Sequence, residues 1–161
     1  MALLPILKFP DKRLRIKAKK IKTFDDNLKK LIDDMFETMY HASGIGLAAT
    51  QVDRHIQLIV MNVDKDRKQP ICLINPEIIE KSGEEESEEG CLSVPNYYAN
   101  VKRASDIKIK ALDKNAKEFI LNASGVLAIC IQHEIDHLQG VLFVDYLSRL
   151  KRERLKKKFA L

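Results

Sequence analysis

Val126-Leu-Ala-Ile-Cys-Ile-Gln-His-Glu-Ile-Asp-His137 is the stretch from which the rest of the chain can be read. Its first half is apolar and its second half carries His133, Glu134 and His137. Ser124 before it and Gly140 after it bracket a helix over about 125–138. Four residues advance a helix by slightly more than one turn, so the two imidazoles share a face and can share one cation. Glu134 borders that face and can reach a water there without ligating the metal. Bare imidazoles leaving an apolar run are costly unless something satisfies them. Ligation satisfies them; two stray surface histidines would not need it.

Outward from that helix, apolar residues at Leu28, Leu31, Ile32, Met35, Phe36, Met39 and Tyr40 alternate by three and four. They predict an amphipathic helix that starts near Thr23, Asp25 and Asp26 and stops near Ser43-Gly44. Ile56 to Val63 reads as a strand. Ile71 to Ile74 is a second short strand, closed by Asn75-Pro76. Asp106 to Leu112 alternates, and with Glu118 to Leu121 it predicts a hairpin. Val141 to Val144 is a strand or extended link, and Ser148 caps a last helix. No repeat, linker or domain boundary interrupts the chain. The expectation is one catalytic domain over 1–161, of α+β class. Antiparallel sheets surround the central HExxH helix, flanked by an N-terminal helix and a basic C-terminal helix at 149–161.

A chain of 161 residues can bury a real core without staples. The net charge of +5 is unevenly placed: Glu84 to Glu89 is acidic, Arg149 to Lys158 strongly basic. The basic tail reads either as a solvated helix face or as a contact for nucleic acid or an acidic partner. No apolar run reaches membrane-spanning length. The N-terminus lacks a basic leader and is broken by Pro5, Lys8 and Pro10, so no membrane association is expected and the location is read as cytoplasmic. Three scattered cysteines argue for free or metal-bound thiols rather than a disulfide framework.

A catalytic metal site needs a third protein ligand and an open position. No histidine follows His137, and His41 and His55 read as surface residues. Cys72 and Cys130 sit in apolar runs, where an inert buried thiol is expected. Cys91, in the polar stretch Glu88-Glu-Gly-Cys-Leu-Ser-Val-Pro95, is the favoured third ligand. Gly44-Ile-Gly-Leu-Ala-Ala-Thr-Gln51 superficially fits a dinucleotide fingerprint. That fingerprint needs a strand before it and a helix after it, and the order here is reversed, so no nucleotide cofactor is expected.

Together, Gly44–Gln51, Glu89-Gly-Cys-Leu-Ser93 and Gln132-His-Glu-Ile-Asp-His137 resemble the three motifs of the peptide deformylases, in order, and in the compact bacterial spacing. The resemblance implies Cys91, His133 and His137 as metal ligands and Glu134 as general acid/base. It implies Gln51 and the backbone N–H of Leu92 facing the reacting carbonyl. Gly44, Ile45, Gly46 and Gly90 would lie along the substrate, and a methionine pocket would draw on Ile45, Val126, Ile129 and Cys130. The implied reaction removes the formyl group of formyl-methionyl peptides and nascent chains, releasing formate. The implied cofactor is one divalent metal per chain, ferrous iron in the cell, with zinc or nickel in purified protein. The chain departs from many bacterial members in carrying Tyr98 where they have arginine. It is also shorter than members whose C-terminal helix docks on the ribosome, a contact the basic tail here is still suited to. Two rivals share the helix: a metallopeptidase cleaving internal bonds, which usually adds a third histidine or a glutamate, and a non-catalytic domain with a structural metal site.

Overall fold

The Asp25 side chain accepts a hydrogen bond from the Leu28 N–H at 3.0 Å and so starts the first helix, α1 (Asp26–His41). The chain then forms β1 (Gly46–Ala48), β2 (Leu58–Met61), β3 (Ile71–Ser82), β4 (Glu85–Cys91), β5 (Val94–Arg103), β6 (Asp106–Leu112) and β7 (Glu118–Ser124), followed by α2 (Gly125–Leu138) and α3 (Arg149–Phe159). This is a computed structural model describing residues 2–159. Met1 and the last two positions of the expected C-terminal helix, 160–161, lie outside the described residues.

Five strands pair antiparallel in the order β1-β2-β3-β6-β7, and β4 and β5 form a separate hairpin. Strand β2 explains the layering. Its residues are buried on both faces: Leu58 and Val60 pack with Ile32, Met35 and Met39 of α1, Ile59 and Met61 with Ile131 and Leu138 of α2. Side-chain alternation along a strand sends neighbours to opposite faces, so a sheet between two helices reads as an unbroken apolar run. A third cluster joins Val94 and Val101 of the hairpin to Phe9, Leu14, Phe143 and Leu155. The motif helix α2 packs on the five-stranded sheet through Ile131 and is joined to the hairpin by His133–Glu89 and Asp136–Arg103 hydrogen bonds, and the expected α+β arrangement stands.

Several expected boundaries differ: the Ile56–Val63 strand narrows to Leu58–Met61, Gly46–Ala48 of the glycine loop forms a strand, and the Glu118–Leu121 strand runs on to Ser124. The Ile71–Ile74 strand does not end at Asn75-Pro76. Register shifts after Ile74 and Ile78 absorb the proline, and β3 runs on to Ser82. Asn75 meanwhile bonds both backbone groups of Ile21. The β4–β5 hairpin was not foreseen, because its first strand is the exposed acidic run. Val141–Val144 is neither strand nor simple link: Phe143–Tyr146 coil into a 3-10 turn, with the Asp145 carboxylate accepting from the Leu142 N–H at 3.0 Å. Ser148 does cap α3, its hydroxyl accepting from Lys151 N–H at 3.3 Å. No described helix is long and apolar enough to cross a membrane.

Candidate metal centre and active-site cleft

Strand β4 ends at Cys91 directly over the buried face of α2, and three ligand atoms converge there. Cys91 Sγ lies 3.3 Å from His137 Nε2, which lies 3.2 Å from His133 Nε2. Ordinary metal–nitrogen bonds in tetrahedral ligation hold two nitrogens about 3.4 Å apart, so the spacing suits one shared cation. His133 donates from Nδ1 to Glu89 Oε1 at 2.9 Å, which turns its Nε2 toward the cluster.

The electrostatics agree. Burial, reinforced by His133, holds His137 well below the usual imidazole range, in the neutral form that ligates metals. His133 goes the other way: burial opposes its charge, but hydrogen bonds with Cys91 and Glu89 push it well above that range. The cluster thus already attracts one positive charge, which a cation can supply in place of the proton. Among the described residues this is the one group of three such side chains within bonding reach of a common ion.

Glu134 sits beside the ligands, and burial pushes its carboxyl up to about 7. Its Oε1 has no hydrogen-bond partner among the described residues. The position exists because of Gly46: a Cβ there would stand 2.6 Å from Glu134 Oε2. The Gln51 side chain, buried in the 3-10 turn 49–52 that follows β1, has its orientation settled by its neighbours. Its Oε1 accepts from the Ala48 N–H at 2.9 Å, which directs Nε2 to Ser93 Oγ at 3.1 Å and to Cys91 Sγ at 3.6 Å.

These groups form one end of a cleft of about 570 Å³. Gly44, Ile45 and Gly46 line one side; Gly90, Cys91, Leu92 and Tyr98 line the other, with His133 and Glu134 between. Strand β1 is an edge of its sheet, so its unpaired side offers backbone groups to an extended chain. Tyr98 is largely exposed and lies against Gly90, where a Cβ would come within 2.6 Å of its ring. Cys130 is buried behind Gly46. Val126 is 60% exposed, and neither it nor Ile129 lines this cleft. Lys8, whose ammonium donates to the Leu92 carbonyl at 3.0 Å, does line it and was missed, because nothing local marks a surface lysine.

A polypeptide deformylase family model matches residues 3–153. The chain belongs to the peptide deformylase family. It is 60% identical over 159 residues to the peptide deformylase of Chromohalobacter salexigens, covering 98% of this chain and 94% of that one. A crystal structure of the Legionella pneumophila deformylase superposes with a TM-score of 0.93 at 51% identity, over 97% of this chain and 92% of that one. The Ehrlichia chaffeensis deformylase, solved in complex with actinonin, gives 0.92 at 42% identity with both chains fully covered. The deformylase fold thus accounts for the hairpin that carries Cys91 as well as for the helix beneath it.

Proposed function

We propose that this chain, acting as one catalytic domain, removes the N-terminal formyl group from formyl-methionyl peptides and nascent chains, with Cys91, His133 and His137 holding one divalent metal. The observation that carries the reading is the convergence of those three ligand atoms beside Glu134, at the end of a cleft with a free strand edge. A structural site would be closed by a fourth protein ligand, and only three such side chains meet among the described residues.

A metal held by Cys91, His133 and His137 would supply Lewis acidity and make water more acidic near neutral pH. The rest falls to the chain. Glu134 takes the proton of the attacking water, whose oxygen adds to the formyl carbon. The carbonyl oxygen gains charge and is met by the Gln51 amide and the Leu92 N–H. The carbon–nitrogen bond then breaks, and Glu134 hands its proton to the departing amine, giving formate and a free N-terminus. Gly44, Ile45 and Gly46 beside the edge of β1, with Gly90 opposite, hold the peptide extended like an added strand. Ile45 of the cleft lining, together with Val126, Ile129 and Cys130 on α2 outside that lining, is the proposed apolar surrounding of the methionine.

A thiolate makes the ligand set soft, compatible with ferrous iron, zinc or nickel. Ferrous iron is the proposed working metal. The enzyme acts in the cytoplasm, and the seven basic residues of α3, anchored by buried Leu155, offer a contact to the ribosome. Formate release from a formyl-methionyl peptide tests the reading, with protein prepared anaerobically and loaded separately with iron or zinc. Iron-loaded protein should release formate fastest. Cleavage of internal peptide bonds instead, or metal-loaded protein without hydrolysis, would replace it with one of the rivals.

A further inference from the structure

Asp136 is the polar residue of the His133–His137 motif to which the reaction gives no task. Its Oδ2 accepts from the Tyr146 hydroxyl at 2.8 Å and from Arg103 Nη1 at 2.9 Å. Arg103 places its other edge on Glu89, with Nε to Oε2 at 2.6 Å and Nη2 to Oε1 at 2.9 Å. That same Oε1 accepts from His133 Nδ1. A continuous line therefore runs from a half-exposed tyrosine to the imidazole, drawn from β4, β5, α2 and the 3-10 turn at 143–146.

The line is built tightly. Arg103 and Glu89 side chains are 4% and 5% exposed. Two carboxylates use both edges of one planar guanidinium, and the Tyr146 ring lies 5.2 Å from its centre. Arginine in a bidentate pair fixes the plane of the carboxylate it holds. A carboxylate receiving the remote N–H of a ligating histidine fixes its tautomer and ring orientation. Stability alone is a poor reason for such an arrangement, since buried ion networks often do no better than apolar packing.

We propose that Arg103, clamped by Asp136 and Tyr146, is a positioning residue that aims the His133 imidazole at the metal through Glu89. The proposal rests on the reading of His133 as a ligand. It gives the aspartate inside the motif and the tyrosine of the 3-10 turn one shared role.

The test uses full-length protein loaded with cobalt(II): wild type, Tyr146→Phe, Asp136→Asn, Arg103→Lys and, as a control, His133→Ala. Cobalt release to an excess of chelator and the ligand-field absorption are recorded, with thermal midpoints of the metal-free proteins. Asp136→Asn and Arg103→Lys should release cobalt about tenfold faster or more, with shifted bands. Arg103→Lys keeps the charge without the fork and so should not rescue. Tyr146→Phe should shift release in the same direction by less, its metal-free midpoint unchanged. Wild-type release and bands in Asp136→Asn and Arg103→Lys would overturn the proposal. So would faster release with unshifted bands that merely follows a lowered midpoint. A His133→Ala protein that keeps cobalt and its bands would instead overturn the underlying ligand reading.

Discussion

Gly46 lies against Glu134: a Cβ on residue 46 would stand 2.6 Å from Glu134 Oε2 and 2.9 Å from Cys130 Sγ. Gly46→Ala must therefore displace the carboxylate while leaving all three proposed ligands in place. A misplacement of about 1 Å can cost on the order of a hundredfold in rate. Metal content should stay at the wild-type level while kcat for formate release falls by about that factor. A wild-type kcat would show that the contact has no bearing on Glu134.

Removing the carboxylate itself is the stronger version. Glu134→Ala should bind metal normally and lose roughly two to four decades of turnover, as expected for a group that moves protons. Metal analysis alongside formate release reads both quantities, and full activity would take Glu134 out of the mechanism.

At Gln51 two substitutions separate folding from chemistry. Gln51→Glu keeps the oxygen that accepts from the Ala48 N–H but has no amide N–H to donate. Both it and Gln51→Ala should lose on the order of a hundredfold to a thousandfold in kcat. If Gln51→Glu turns over like wild type, the side chain serves only the 3-10 turn.

Thiol labelling reports on the metal directly. Burial pushes the Cys72 thiol up to about 12 and Cys130 well above its ordinary value, so neither should react with iodoacetamide at neutral pH. Cys91 should be protected in the metal-loaded protein and alkylated once a chelator has removed the ion. Mass spectrometry of peptides locates the label. Equal labelling of Cys91 with and without metal would mean that its sulfur does not ligate, and Cys91→Ala should correspondingly fail to retain metal.

In the core, Ile109 is fully buried on β6 in the cluster between the sheet and α2. Ile109→Ala leaves a cavity costing about 2–5 kcal/mol, measurable as a lower urea midpoint at fixed metal loading. A midpoint unchanged from wild type would place that side chain outside the cooperative core.

The helix that carries His133, Glu134 and His137 is legible from its own residues, expected over about 125–138 and found at Gly125–Leu138. Helical period and the one-turn spacing of two imidazoles are properties of consecutive residues, needing no partner to be read; Ser124 does stand at the N-cap position, but its hydroxyl makes no capping hydrogen bond. The same holds for α1 and for the β6–β7 hairpin, whose turn is local. The deformylase motifs extended this to Cys91, although spacing alone only favoured it.

Tertiary structure decided the rest, because the deciding contacts join residues far apart in the chain. The acidic run became β4 only by pairing with β5, and that pairing brings the Cys91 sulfur onto the histidines. The direction of the Gln51 amide depends on Ala48 and Ser93 together. No local pattern singles out Arg103, yet it is buried between Glu89 and Asp136. Local pattern records which side chains want burial or a helical turn; which distant group will satisfy a buried charge is settled only when the sheets close around it.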